Sequence, residues 1–534
     1  METDISLAGL VKSSAEKYPE SVFLESTAGE ALTYSQAHCT AIDYANALKQ
    51  LGVSENNCIA VMLPQGIEAV LFWLACIWLR AWRVVVDVAE GFEGEALEGV
   101  IVNCQAKILI IESKFLGKLE SIDLDKTEIG TIVVVGSSSE PFSSCSNHVR
   151  FLSKHEFLCG ITADFEPSQP RHNDVASITP TSGTTDTPKC AVLHWPYFYA
   201  FLEPGPNKLP REHESSLYVP FPASWAPGQT SIYQAAAVGC KVIVREYIKF
   251  DEYVSDIIKH QCTHAFIPQS IAHNMMNLPK RDYEQLSLEN VCLIGGLPVA
   301  VEEFKRRFGI KNMIYGYGMT EIGFPITGKD LSKVAKPGLC GYPHSDYELR
   351  IVNREDEPLG PNEVGELVIR SKRPWTLATQ YYRRYAETIA ANRNNWFHTG
   401  DAFFFDDDGT FFFVDRYEDL IHTRQGPISS RYLETVINSH PAVLQSAVIG
   451  IKALDGYEDL KLFIQFRMGF SLQTNEILDH ILSSGPTSSI PRWLEIVEKL
   501  PRTASQKIKK SVLRKMDNGP DTIEVNKTEL VYTT

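Results

Sequence analysis

The sequence predicts an α/β protein built on mostly parallel, covered sheets. Short runs of branched apolar residues, such as Cys58-Ile59-Ala60-Val61-Met62, recur between longer helical stretches. Continuous apolar runs of this kind suit strands buried on both faces, whereas a half-solvated strand alternates apolar with polar residues. Strand runs separated by helix-length segments make βαβ units rather than hairpins. At 534 residues, with 44% hydrophobic and 22% charged residues, the chain carries enough apolar material for more than one core.

In chain order, residues 5–51 read as helical pieces around one extended stretch, Ala31-Leu32-Thr33-Tyr34. β runs follow at 58–62, 84–86, 107–112 and 131–135, with helical segments between them. Residues 70–79 are apolar throughout, between Glu68 and Arg80. A membrane-spanning helix takes about 20 residues, so this run reads as a buried helix. The Ser-rich stretch 136–147 reads as a surface loop. A second α/β block covers about 175–326, with strand candidates at 175–179, 191–194, 216–219, 241–245, 264–267 and 291–294. A third, more β-rich stretch contains 347–352, 365–370 and 411–414.

The 51 Lys and Arg against 66 Asp and Glu leave a net charge of −15. That balance disfavours general binding to nucleic acid, while a local basic pocket can still take a small anion. The 11 Cys are odd in number and scattered, with no CxxC pair. They form neither a disulfide framework nor a metal pattern, and a reducing cytoplasmic compartment is expected. Met1-Glu2-Thr3-Asp4 lacks the basic start and apolar core of a signal peptide, and Val531-Tyr532-Thr533-Thr534 carries no lipid or peroxisomal address. No membrane span is expected.

The most informative stretch is Thr181-Ser182-Gly183-Thr184-Thr185-Asp186-Thr187-Pro188-Lys189-Cys190, between two predicted strands. Hydroxyls donate, Gly183 lets a backbone come close, exposed N–H groups form an anion nest, and Lys189 adds a mobile charge. It is not a Walker A loop, which needs a second Gly directly before the Lys and a helix after it. On its residues alone the stretch fits a phosphate site and a polar hairpin turn equally well.

Further motifs follow in order: Tyr315-Gly316-Tyr317-Gly318-Met319-Thr320-Glu321, Thr399-Gly400-Asp401, Asp415-Arg416-Tyr417-Glu418-Asp419 and Pro501-Arg502-Thr503-Ala504-Ser505-Gln506-Lys507-Ile508. Together with the hydroxyl-rich loop, this set resembles the adenylate-forming superfamily of acyl-CoA synthetases, peptide-synthetase adenylation domains and luciferases. The resemblance runs from about Leu32 to Arg514, and the texture around Phe308-Gly309 is most similar to acyl-CoA ligases such as the carnitine–CoA ligases. It implies a large N-terminal domain, 1–416, of two α/β sheet subdomains plus a β-rich one. A small mobile α+β domain, 417–534, would follow, with the hinge at Glu418.

The resemblance also implies roles. Thr181, Ser182, Gly183, Thr184, Thr185 and Lys189 would cradle the β- and γ-phosphates of ATP. Thr320 would contact the α-phosphate and Glu321 would ligate Mg²⁺, a hard cation served by few carboxylates. Tyr317, within Gly316-Tyr317-Gly318, would offer a face to adenine, with Gly295 and Gly296 close on the other side. Asp401 would accept from the ribose hydroxyls, Arg416 would assist as a charged fork, and Lys507 would bridge carboxylate and phosphate. Ser224, Trp225 and Phe324 are candidates for the acyl pocket. The implied reactants are a small-molecule carboxylic acid or its adenylate, ATP, Mg²⁺ and coenzyme A. Read without the resemblance, Glu321 and Glu418 are turn acids, Gly295-Gly296 is a turn after a strand, and Lys507, Lys509, Lys510, Arg514 and Lys515 make one solvated basic face. That face is also a reasonable dock for CoA phosphates.

Several positions depart from the family pattern. Asp186 and Cys190 stand where Gly is usual, and Gln506 replaces the Gly before the catalytic Lys. His422 replaces a Lys, Gln425 a Gly with Gly426 one place late, and Trp82 and Asp87 replace a Gly and a Pro. Asp186 adds negative charge beside an expected triphosphate. Three readings therefore stand: an acyl-CoA ligase acting through an acyl-adenylate, a ligase with impaired adenylation that accepts a preformed adenylate, and a non-catalytic nucleotide- or acyl-binding descendant.

Overall fold

The computed structural model describes residues 5–89, 92–136, 148–161, 166–181, 188–202, 212–279, 286–294, 301–328, 338–484, 489–502, 508–516 and 522–525. The chain forms two compact units, Met1–Glu348 with Ile369–Trp396, and Leu349–Val368 with Phe397–Thr534.

The first unit contains a seven-stranded sheet in the order Arg150–Ser153, Thr131–Val135, Ile108–Glu112, Cys58–Met62, Trp82–Val85, Val175–Thr181, Lys189–His194. All neighbours in it are parallel except the last pair, which is antiparallel. Ile110, Ile111, Val133 and Val134 are buried, as strands covered on both faces require. The apolar run at 70–79 is realised as the helix Ile67–Trp78, buried without a break from Ala69 to Trp78. Tyr34, expected in an extended stretch, is instead the first residue of the helix Tyr34–Gln50. Thr33 and Gln36 form a capping box there, which satisfies two backbone donors and starts the helix one residue early.

The same unit holds a second run of strands, in the order Leu339–Pro343, Gly323–Gly328, Asn312–Met319, Asn290–Ile294, His264–Pro268, Ser216–Val219, Lys241–Val244, Val22–Ser26, Ala31–Thr33. Its middle strands are parallel, and Asn312–Met319 turns back antiparallel on Gly323–Gly328. The helix Ala226–Val238 is buried from Gly228 to Ala236 and stops at Gly239, whose φ of +76° suits a residue without a Cβ.

The second unit contains the antiparallel pair Phe397–Phe405 and Phe411–Arg416, followed in sequence by the hairpin Leu420–Thr423 and Gly426–Ser429. A four-stranded sheet follows, in the order Val443–Lys452, Glu458–Phe466, Trp493–Ile496, Thr522–Glu524. Leu433 and Ile437 of the helix Ser430–Asn438 and Ile477 and Ile481 of the helix Thr474–Ser484 pack on Val448, Leu462 and Leu494 of that sheet. Among the described residues no helix is long and apolar enough to cross a membrane.

Candidate active site

In the first unit, Thr181 and Lys189 are Cα partners at the mouth of the antiparallel hairpin, so Thr181 is the last residue of one strand and Lys189 the first of the next. Ser182, Gly183, Thr184, Thr185 and Asp186 lie outside the described residues, as do Gly295, Gly296, Gln506 and Lys507. The Lys189 ammonium sits 5.0 Å from the centre of the Tyr381 ring. The Tyr381 hydroxyl donates to Glu321 Oε1 at 2.8 Å, and the Ala378 N–H donates to the Glu321 carbonyl at 2.7 Å. A single ring thus links the cation of the hairpin to the acid of the Thr320-Glu321 turn. Glu321 is 5% exposed. A buried carboxylate is costly unless it is hydrogen-bonded, and the phenol supplies part of that compensation. Burial also holds the neighbouring Tyr197 and Tyr347 hydroxyls protonated well above the usual phenol range.

The Tyr-Gly-Tyr-Gly-Met run forms the end of the strand Asn312–Met319. Its glycines are forced by a close approach. A Cβ at Gly316 would meet the Ile326 carbonyl at 2.2 Å and the Phe324 ring at 2.9 Å. One at Gly318 would meet the Gly323 carbonyl at 2.2 Å and Phe324 at 2.8 Å. Phe324 therefore lies over the glycine face of this strand. Tyr317 is half-buried and donates to the Met319 sulfur at 3.7 Å, while Thr320 stands half-exposed in the turn.

Ser224 and Trp225 precede the buried helix Ala226–Val238. Trp225 is 48% exposed and stacks on Phe221 at 6.2 Å, and among the described residues the buried Ser224 Oγ has no hydrogen-bond partner. Beneath this turn lies a group that sequence reading missed. Arg83, 2% exposed, donates to Ser177 Oγ at 3.0 Å and Gln229 Oε1 at 2.6 Å and lies 3.9 Å over Trp73. Gln229 in turn donates to Thr179 Oγ1 at 3.0 Å and to the Ala223 carbonyl at 2.8 Å. Among the described residues no carboxylate lies against Arg83, and burial lowers its pKa to about 9. The network fastens the strand that ends at Thr181 to the turn that carries Ser224. Arg83 and Tyr381 gave no sequence signal, since their partners are about 60 to 150 positions away.

In the second unit, Asp401 and Arg416 are cross-strand partners, and Arg416 Nη1 donates to Asp401 Oδ1 at 2.7 Å. The Asp side chain is 7% exposed and the Arg side chain 44%. The Thr-Gly-Asp turn is tied down: Thr399 Oγ1 donates to the Leu367 carbonyl, the Gly400 N–H donates to Glu366 Oε1, and the Asp401 N–H donates to Thr399 Oγ1. Gly400 has φ of +68°, a left-handed position that favours Gly. Glu418 is exposed within the short turn Tyr417–Asp419, and Arg514 clasps that turn through the Glu418 carbonyl at 2.9 Å and the Asp419 carboxylate.

One expectation is corrected here. Lys510 does not belong to a solvated basic face. Its ammonium pairs with Glu434 at 2.7 Å and donates to Ser430 at 2.7 Å, with only 11% of the side chain exposed. Packing of Leu513, one helical turn on, draws this side of the helix Lys510–Leu513 inward.

Comparison with known proteins places the chain. Residues 11–382 match the model of the AMP-binding enzyme family, and residues 432–507 match that of the AMP-binding enzyme C-terminal domain. The chain belongs to the AMP-binding enzyme family. As a member it has the adenylate-forming fold and is an enzyme of the acid–thiol ligase class. It is 27% identical over 507 residues to a crotonobetaine/carnitine–CoA ligase of Salmonella arizonae, covering 92% of this chain and 95% of that one. It is 27% identical to a mitochondrial acyl-coenzyme A synthetase of Homo sapiens, covering 88% and 81%. In fold it matches o-succinylbenzoate CoA synthetase of Bacillus subtilis in complex with its acyl-adenylate, with a TM-score of 0.80 and 21% identity over 96% of this chain and 98% of that one. An anthranilate CoA ligase in complex with anthranoyl-AMP gives the same TM-score at 24% identity, covering 96% and 97%.

Within this AMP-binding enzyme, two unusual residues prove to be packed. Cys190 is buried in an apolar cluster, and burial pushes its thiol up to about 12, so it brings no charge to the hairpin mouth. Trp82 is half-buried edge-on to Tyr382 at 6.1 Å. Gly426, one place later than usual, has φ of +113° at the end of its hairpin turn.

Proposed function

We propose that this enzyme joins a carboxylic acid to coenzyme A through an acyl-adenylate. The carboxylate oxygen attacks the α-phosphorus of ATP, the bond to the β-phosphate oxygen breaks, and pyrophosphate leaves. The CoA thiol then attacks the acyl carbon, AMP departs, and the thiol proton is released. The observation that carries this reading is the Lys189–Tyr381–Glu321 arrangement beside Thr181, which sets a cation, an anchored carboxylate and hydroxyls in one unit.

Each group has a task suited to its chemistry. Lys189 and the loop 181–189 offset triphosphate charge, and Thr320 donates to the α-phosphate. Glu321, oriented by Tyr381, would hold a Mg²⁺, which would supply charge neutralisation for the leaving pyrophosphate. Tyr317 stacks on adenine, with Gly295-Gly296 opposite it. Asp401, already paired with Arg416, accepts from the ribose hydroxyls. Lys507 draws the acid and the α-phosphorus together, a positioning effect that carries much of such a barrier. The acyl group lies near Ser224, Trp225 and Phe324, which suits a bulky apolar acid. The small domain 417–534 turns about Glu418 between the two half-reactions, and the clasp of Arg514 on Glu418 and Asp419 ties the start of that domain to its C-terminal helix.

Asp186 favours a second reading, in which adenylation is weak and a preformed acyl-adenylate is the better substrate. At 4–6 Å and an effective dielectric near 20, like charges cost roughly 3–4 kcal/mol per pair before screening. Borne by the transition state, that slows adenylation by roughly two to three orders of magnitude. The proposal is tested by incubating the enzyme with Mg²⁺, ATP, CoA and a panel of carboxylic acids, and measuring AMP release together with acyl-CoA. Matched amounts of both with one class of acid support it. ATP consumption that no acid stimulates, with no thioester formed, refutes it.

A further inference from the structure

A cavity of about 470 Å³ opens at the end of the hairpin opposite Thr181 and Lys189, where Val175 pairs with His194. The strands rise about 3.3 Å per residue, so Val175 and His194 stand roughly 15–20 Å from the expected phosphates, while Val192 and Tyr382 carry the wall nearer to Lys189. None of the nucleotide, CoA or acyl residues discussed above lines it. Aromatic rings stand in its wall among polar residues. The Trp375 indole leans on the His194 ring at 4.7 Å, and Trp82 meets Tyr382 edge-on. Two lining residues, Arg80 and Trp375, have φ of +52° and +67°, a left-handed conformation that bulky residues seldom adopt. Backbone outliers of this kind gather where a site has to be held in shape.

The charges divide clearly. Arg80 is spent within the wall, bound by both oxygens of Asp174 at 2.6 and 2.7 Å and by Glu55 at 2.8 Å. Arg171 is exposed at the cavity, and among the described residues no carboxylate lies against its guanidinium. Flat rings and an unspent guanidinium in one wall can together recognise a flat ring bearing one anionic group. We propose that this cavity is a second ligand site, one that takes a small planar aromatic carboxylate against Trp375 and Arg171.

The segment that lines it also reaches the candidate active site. Thr379 and Tyr382 face the cavity, whereas Ala378 and Tyr381 hold Glu321. The Thr379 and Tyr382 N–H groups donate to the carbonyls of Val192 and Cys190, so the segment rides as an added strand on the hairpin that carries Lys189. An occupant that braces Trp375 therefore fixes Tyr381 and alters the affinity for Mg²⁺ and ATP. This coupling rests on the role proposed above for Glu321; the binding itself does not.

The test is calorimetric titration of the full chain with 2-naphthoate, in the wild type and in Trp375→Gly and Arg171→Gln. Glycine suits the φ of position 375, so that variant removes the ring without straining the backbone. Melting temperatures check that both variants fold. The expected result is a binding transition weakened at least tenfold by each substitution, with uncharged 2-naphthamide binding Arg171→Gln as well as it binds the wild type. A wild-type titration without a transition, or one that neither substitution weakens, overturns the site. With 2-naphthoate bound, ATP affinity should change several-fold in the wild type and not in Trp375→Gly. An unchanged affinity overturns the coupling.

Discussion

Glu321 in the first unit and Asp401 in the second are equally buried, at 5% exposed, yet they are held in different ways. Glu321 accepts from the Tyr381 phenol, while Asp401 accepts from the Arg416 guanidinium, which is itself largely open to solvent. A phenol steers a carboxylate without cancelling its charge; a guanidinium does both. The first arrangement suits a carboxylate that is to face a metal ion. The second suits one that is to accept from neutral hydroxyls, where an uncompensated charge would be a cost. Burial alone therefore does not identify a catalytic acid, and the chemistry of its partner says more.

Substitutions sharpen this contrast in order of size. Lys507→Ala should have the largest effect, lowering acid-dependent pyrophosphate exchange by about a thousandfold or more while sparing CoA attack on supplied adenylate. Equal loss in both half-reactions would remove its special role. Glu321→Gln keeps an acceptor for Tyr381 but loses the charge, and adenylation should fall by roughly 10²–10³ with a raised requirement for Mg²⁺. Asp401→Asn should cost only about tenfold, mostly in the KM for ATP. If the two variants lose activity alike in a magnesium titration, the contrast fails.

Smaller effects follow. Glu418→Pro fixes φ near −65° at the proposed hinge. Thioester formation should drop about tenfold or more while pyrophosphate exchange survives; rates unchanged in both steps would move the pivot elsewhere. Tyr381→Phe removes one hydrogen bond that orients the carboxylate without removing its charge, and should weaken apparent Mg²⁺ affinity only by several-fold, up to about tenfold. Arg416→Lys keeps the charge beside Asp401 and should change the KM for ATP only a few-fold. A larger loss for Arg416→Lys than for Tyr381→Phe would reverse the ranking of the two units.

Much of the fold was legible because strand burial writes itself locally. The runs 58–62, 131–135, 216–219 and 347–352 are strands over those residues. The apolar run at 70–79 became a helix buried on all sides. Tyr34 went the other way because a side-chain cap, rather than apolar pattern, set the helix start. The site was legible only where its residues stand in short motifs. Tyr381, Arg83 and the cavity wall were not, since each acts through residues distant in sequence, and no local spacing encodes such a contact.

The most direct test of the account compares two routes to one product. The wild-type enzyme receives a matched acid either as acid with Mg²⁺, ATP and CoA, or as its synthetic acyl-adenylate with CoA, and acyl-CoA is measured over time. The adenylate bears no β- or γ-phosphate, so its step does not feel Asp186. The account predicts rapid acyl-CoA formation from the adenylate and slower formation from acid and ATP, with Asp186→Gly narrowing the gap. Formation from acid and ATP as brisk as from the adenylate would refute the impaired loop and leave an ordinary acyl-CoA synthetase, and failure to form acyl-CoA from any acyl-adenylate that binds would contradict the account altogether.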